Sequence, residues 1–226
     1  MLKFAVVTNI SYEEVTLPIL LQSMIDVEID LDLIHVFSGG YQEYSYEKRN
    51  YHYHKLNHHT YEYSALIAII EHQIESEYWF LIHDTCRVGP NFKKLVYNIP
   101  ESRPEKIALT ASPSMSMGSY RYDYLLSDTV KHKLLSIKNT DYSKEKMSYL
   151  KYWGVPNEDF ILHRTQPPAH YYSPEMGIYY NMEHIDNNNW YGTQVERRTE
   201  YYKTLDLYKN KANWFPRNMG EYIIGA

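Results

Sequence analysis

The stretch YWFLIHDT, Tyr78 to Thr85, sets five apolar residues directly before three polar ones. An apolar run without alternation is the pattern of a strand buried on both faces, and such a strand needs helices above and below its sheet. The flanking sequence repeats the design. FAVVTN (Phe4 to Asn9) closes an apolar run on a polar pair, and LIHVF (Leu33 to Phe37) stops at Ser38-Gly39-Gly40. Between those two, Leu17, Leu20, Leu21, Met24 and Ile25 fall at helical spacing, with Thr16 as the expected N-cap and Pro18 in the first turn. A second helix is predicted from about Tyr61 to Ile74, with Leu66, Ile69, Ile70 and Ile74 on one side. Tyr51 to His54 predict a third strand at a sheet edge, and Lys106 to Thr110 a fifth, after a short helix opened by Pro90 and Asn91. Strands alternating with helices predict an α/β fold: a mostly parallel central sheet with helices on both faces.

The rest of the chain is less regular. Ser112 to Ser119 predicts a loop and Tyr120 to Tyr124 a strand. Helices are expected over Thr129–Ile137 and Ser143–Trp153, the second ended by Gly154, and a last one over Gln194 to about Leu207. Thr165 to Trp190 has no clear period. No linker divides the 226 residues, so one domain with an irregular C-terminal extension is expected, and a chain of that length needs no staple to fold. The one cysteine, Cys86, excludes an internal disulfide framework and fits a reducing compartment. The longest apolar run, Ala65 to Ile70, is far short of a membrane span, and Phe4–Val7 is too brief for a signal-peptide core. The net charge of −5 argues against wholesale nucleic-acid binding. A soluble, cytoplasmic globular protein is the expectation.

Ligands of open parallel α/β sheets bind in the crevice beyond the carboxyl ends of the strands. Three such ends are polar here: Thr8-Asn9, Ser38-Gly39-Gly40 and His83-Asp84-Thr85. No Gly-x-Gly-x-x-Gly follows the first strand, and there is no Gly-Lys-Ser/Thr and no Gly-x-Ser-x-Gly. Dehydrogenases, P-loop enzymes and elbow hydrolases are therefore disfavoured.

In its order of elements, in LPILLQSMI (Leu17 to Ile25) and in YWFLIHDTCRVGPNF (Tyr78 to Phe92), the chain resembles glycosyltransferases of the GT-A fold, in the style of glycosyltransferase family 2. The resemblance covers roughly residues 4–162. It implies a single GT-A-like, Rossmann-like domain: residues 1–110 as the nucleotide-sugar-binding half, 111–193 as the acceptor side and 194–226 as a C-terminal helix and tail. It further implies transfer of a sugar from a nucleotide-diphosphate donor to a saccharide or glycan hydroxyl, with inversion.

The family carries an aspartate-rich DXD motif at this strand end, where carboxylates hold Mg²⁺ or Mn²⁺ against the departing diphosphate. Here His83 stands in the first position, Asp84 in the middle and Thr85 in the second aspartate's place. An imidazole, a carboxylate and a hydroxyl suit Mn²⁺ best, with His184 or His170 as a further ligand. The plain alternative is that Asp84 caps the turn and His83 packs. The resemblance also implies that Glu158-Asp159, within GVPNEDFILHR (Gly154 to Arg164), holds the general base: Asp159 first, Glu158 in reserve and Asp123 as an outsider. The bland reading of that pair is first-turn helix chemistry behind an Asn157 cap.

Donor-binding candidates are then Thr8, Asn9, Ser38, Gly39, His83, Asp84, Thr85 and Arg197, with Arg197 and Arg198 able to close over a diphosphate. His58 or His59 is expected to border the donor pocket. His52 and His54 share a strand face without the spacing of a zinc site. The 25 tyrosines cluster partly in the irregular half, at Tyr171-Tyr172, Tyr179-Tyr180 and beside Trp190, where their faces suit sugar stacking. Two competing classes stay open: a non-catalytic carbohydrate- or nucleotide-binding protein of the same fold, and a nucleotidyltransferase. The second would need a Gly-rich basic loop where Thr8-Asn9-Ile10-Ser11 stands.

Overall fold

The computed structural model describes residues 1–60, 62–99, 103, 105–109, 117–138, 182–192, 194 and 196–212. In chain order the elements begin with β1 (Leu2–Asn9), α1 (Glu13–Asp26), β2 (Ile34–Gly39), β3 (Ser45–Lys48), β4 (His52–Leu56), α2 (Tyr63–Glu71) and β5 (Tyr78–His83). They continue with β6 (Cys86–Val88), α3 (Phe92–Val96), β7 (Lys106–Ala108), β8 (Gly118–Arg121), α4 (Tyr122–Leu126) and α5 (Asp128–Lys138). The last strands are β9 (Met182–Asp186), β10 (Arg197–Tyr202) and β11 (Leu207–Ala212).

The large sheet has seven strands in the order β3-β4-β2-β1-β5-β8-β7. β4, β2, β1 and β5 are parallel neighbours, whereas β3 pairs antiparallel with β4, and β8 lies antiparallel between β5 and β7. Five strands therefore share one direction, and the sheet is mixed with a parallel centre. A second, antiparallel sheet has the order β6-β11-β10-β9.

The buried central strands divide their side chains between two cores by simple alternation. Phe4 and Val6 of β1 and Phe80 and Ile82 of β5 point to the side covered by Leu17, Leu20 and Met24 of α1 and Phe92 and Val96 of α3. Ala5, Val7, Trp79 and Leu81 point the other way, onto α2 and onto Leu125, Val130 and Leu134 of α4 and α5. α2 is buried from Tyr63 to Ile70, which is why its sequence is apolar all round. Among the described residues no helix is long and apolar enough to cross a membrane.

Several elements depart from the sequence expectation. α1 starts one turn before its apolar stripe, so Thr16 is not the N-cap and Pro18 lies inside the helix. Glu13 and Glu14 favour that extra turn by facing the helix dipole, and Glu13 is held from outside by Ser38, Tyr41 and Tyr53. α2 is shorter than the apolar spacing suggests because Gln73 adopts φ 48° and the Ile74 amide bonds back to Ile69. β4 is not an edge strand, since the polar β3 covers it. The segment at Tyr120 is a strand only to Arg121, then turns into α4. The expected last helix is a hairpin, β10 and β11, in which Thr199, Tyr201, Tyr202 and Tyr208 supply residue types that suit strands. The expected helix at 143–153, Gly154 and the tyrosines at 171–172 and 179–180 lie outside the described residues.

The histidines of β2 and β4 form a stack inside this fold. The His35 ring lies 4.1 Å from that of His52, and His35 Nδ1 is 3.1 Å from His54 Nε2, with Trp79 edge-on to His35. Burial, then the neighbouring imidazoles, pushes His35 down to about 2 and His54 down to about 4. Both are neutral in the native chain while the unfolded chain takes up their protons below about 6.5, so stability is full above that pH and falls as the pH drops toward the native values. Urea unfolding at pH 7.5 and pH 5 should differ by about 2 kcal/mol per buried imidazole. A His35→Phe/His54→Phe double variant should lose the share of that slope due to these two rings, while His58, pushed down to about 4 by its own burial, keeps its share; an unchanged slope would assign the acid sensitivity elsewhere.

Candidate functional site

The register of the parallel strands collects the polar strand ends. Thr8 lies opposite Ser38 and Asn9 opposite Gly39, while Val7 pairs with His83 and the Asp84 amide donates to the Val7 carbonyl at 3.1 Å. Thr8, Asn9, Ser38, Gly39, His83, Asp84 and Thr85 therefore share one end of the sheet. The second sheet starts there: β6 follows Thr85 directly, and the Asn210 amide of β11 donates to the Thr85 carbonyl at 2.9 Å.

Asp84 holds the junction from inside. It is only 4% exposed, and its Oδ2 accepts hydrogen bonds from Thr8 Oγ1 at 2.7 Å and from Thr16 Oγ1. Burial pushes its carboxyl up, with the two hydroxyls and the Lys209 charge working against that. Sequence reasoning placed Thr16 at a helix start; its hydroxyl is instead a link between α1 and the end of β5.

A second carboxylate orders the end of β2. Glu13, in the first turn of α1, accepts from Ser38 Oγ, from Tyr41 Oη at 3.0 Å and from Tyr53 Oη at 2.7 Å. Gly39 is where the loop before α2 crosses the sheet, because a Cβ there would lie 2.8 Å from His59 Nδ1 and 2.9 Å from the His58 carbonyl. His58 and His59, one of which was expected to border the donor pocket, thus lie against the end of β2. Asn9 folds its Oδ1 onto the Ser11 amide at 2.9 Å, forming the turn that leads into α1.

The second sheet brings cations to the same place. Lys209 Nζ lies 3.0 Å from His83 Nδ1. A lysine ammonium can only donate, so His83 Nδ1 accepts and its proton sits on Nε2. Lys209 lies between Cys86 and Glu200 in register, and His184 pairs with Glu200 beyond it, so the four side chains form one row on one face. Arg198 and Lys211, a register pair, belong to the same face, and both form ion pairs with Glu200, at 2.9 and 3.5 Å. Burial opposes ionisation of Glu200, but Lys211, Arg198 and Lys209 hold its carboxyl below the ordinary value.

Arg197, expected to act with Arg198, projects from the opposite face because neighbours in a strand alternate. Its Nη1 donates to the Asn210 carbonyl at 2.9 Å, and its guanidinium lies 5.0 Å from the Tyr191 ring centre. On that face Arg87 stands between Trp190 and Tyr208, at 4.4 and 5.0 Å from the ring centres. Asp123 follows Arg121, which pairs with Tyr78 at the opposite end of β5 from His83, and it is exposed and ion-paired with Arg121. Glu158, Asp159 and His170 lie outside the described residues.

The expected divalent ion does not suit this donor set. Asp84 presents its oxygen to two hydroxyls, and the His83 nitrogen facing Lys209 is engaged by an ammonium whose charge would repel a cation. His184 Nε2 is 2.9 Å from the Asp186 carbonyl oxygen on an exposed strand. Among the described residues no three His, Cys, Asp or Glu side chains group as metal ligands. Lys209, Lys211 and Glu13 were missed in the sequence. The first two carry a period-2 signal, Leu207-x-Lys209-x-Lys211, which the charge pattern obscured; Glu13 carries none beyond its place in the first helical turn. No protein-family model matches the chain, and no curated protein matches it.

Proposed function

We propose that the protein is a glycosyltransferase that moves a sugar from a nucleotide-diphosphate donor to a saccharide hydroxyl with inversion. The observation that carries the reading is the convergence of three polar strand ends on one end of the sheet, with a lysine brought beside His83 there by a second sheet. The parallel order β4-β2-β1-β5 followed by an antiparallel β8 also supports a nucleotide-binding sheet of the GT-A kind. In this reading Thr8-Asn9 and Ser38-Gly39 form the floor for the nucleoside, and Lys209, anchored against His83, faces the diphosphate.

In the reaction a carboxylate, Asp159 or Glu158 by resemblance, takes the proton of the acceptor hydroxyl. The oxygen attacks the anomeric carbon as its bond to the diphosphate oxygen breaks, and the nucleoside diphosphate leaves with the electron pair. No step is assigned to a metal ion. Asp84 is a positioning residue, since it braces the His83–Thr85 turn from below. The single thiol, Cys86, is buried and free, its pKa pushed up to about 12 by burial, and suits a reducing compartment; we place the activity in the cytoplasm.

The test is a thermal-shift screen of nucleoside diphosphates and their sugars, followed by a donor-hydrolysis assay. Stabilisation by one nucleotide class, with slow release of its sugar, is expected. Stabilisation without turnover on any acceptor would favour the binding-protein reading, which draws support from the internal engagement of Thr8, Ser38 and Asp84. No stabilisation by any nucleotide would overturn both.

A further inference from the structure

One face of the β10–β11 hairpin grades from apolar to cationic. Leu207 and Tyr202 are buried at one end, Lys209 and Glu200 follow, and Lys211 and Arg198 close the row. Glu200 is the only carboxylate on that face of the two strands and already serves Arg198, Lys211 and the Tyr202 hydroxyl. Three cations around one carboxylate leave an excess of positive charge, and the group stays positive even when Asp84 is ionised. Such an excess, partly shielded from water, is self-repulsive unless an anion completes it.

We propose that Lys209, Lys211 and Arg198, with Lys209 anchored against His83, form a diphosphate site that neutralises the leaving group without a metal ion. The proposal rests on the nucleotide-diphosphate reading above and extends it to the chemistry of departure. The spacing fits: residues two apart on a strand lie about 7 Å from each other and registered neighbours about 5 Å, which lets the cations bracket two linked phosphates. Arg198 offers paired donors, and the lysines offer mobile point charges. Lys209 occupies the place where the donor set proved unsuitable for a divalent cation, so one side chain accounts for both the misfit and its replacement.

The experiment is calorimetric titration of the full chain with inorganic pyrophosphate in EDTA, with orthophosphate as the control. Binding of pyrophosphate, tighter than of orthophosphate, is expected in EDTA. It should weaken at least tenfold in Lys209→Ala and in Lys211→Ala, remain close to wild type in Lys209→Arg, and be unchanged in Lys203→Ala, whose lysine pairs with Glu183 on exposed surface. Circular dichroism checks that each variant is folded, and the exposed Lys211 serves if Lys209→Ala is not. Binding that requires added Mn²⁺, or equal affinity in Lys211→Ala and wild type, would overturn the proposal. Failure of the two readings is separable. Lysine-dependent pyrophosphate binding with no affinity for any nucleotide sugar would sustain the anion site and sink glycosyl transfer. Nucleotide-sugar turnover indifferent to both lysines would do the reverse.

Discussion

Gly89→Ala should destabilise the protein by about 3 kcal/mol, combining overpacking with the loss of charge-assisted hydrogen bonds. A Cβ at residue 89 would stand 2.3 Å from Asp206 Oδ1 and 2.4 Å from its Cγ. Neither atom can retreat cheaply. The Gly89 amide donates to the Asp206 carbonyl at 2.7 Å, the Asn91 amide and side chain donate to Asp206 Oδ2 at 2.9 and 3.1 Å, and Tyr201 Oη donates to Oδ1 at 3.2 Å. Asp206 itself takes φ 53°, a left-handed turn that aspartate tolerates, and it closes the β10–β11 hairpin. Urea unfolding provides the measurement. In the Asp206→Ala background the same Gly89→Ala change should be much milder, because the clash has gone; full additivity of the two would show that the clamp does not exist as described.

Asp84→Ala should be comparably damaging, at about 2–4 kcal/mol, because it opens a buried site and leaves the buried Thr8 hydroxyl without its acceptor, while the Thr16 hydroxyl keeps only the Tyr12 carbonyl. The pH dependence separates this role from that of an exposed ligand. Burial raises the Asp84 pKa, so in the window between the ordinary carboxylate value and its native one the folded chain binds more protons than the unfolded chain. Its contribution is therefore complete below that window and is lost as the pH rises through the native value. Asp84→Asn, which cannot ionise, should gain in stability relative to wild type as the pH is raised from 4 to 8. A difference that is flat, or that moves the other way, would mean that Asp84 is solvated and free to serve as a ligand.

The centre of the fold was legible because burial on two faces leaves continuous apolar runs: Phe4–Val7, Leu33–Phe37 and Tyr78–Ile82 each correspond to a central parallel strand. The polar residues that end them were legible as a site for the same reason, since only a functional or structural need sets Thr8, Ser38 or Asp84 at the end of such a run. The periphery was not legible. β3 is a charged, exposed strand with no apolar face to announce it. The segment from Arg197 to Ala212 mixes both charges at spacings that also suit a helix, and only the pairing of Thr199 with Asn210 and Tyr201 with Tyr208 across a hairpin resolves it. Lys209 became part of the site solely through that pairing, because 126 residues separate it from His83. Strand register, and hence the face on which a charge emerges, is a tertiary property that a one-residue shift would invert.

The central claim is that the strand ends of β1, β2 and β5 receive a nucleoside diphosphate. A crystal structure of the chain with whichever nucleoside diphosphate stabilises it most tests this directly. The nucleoside is expected against Thr8-Asn9 and Ser38-Gly39, with the diphosphate within hydrogen-bond reach of Lys209. A nucleotide bound at any other surface, with that crevice left to solvent, would contradict it.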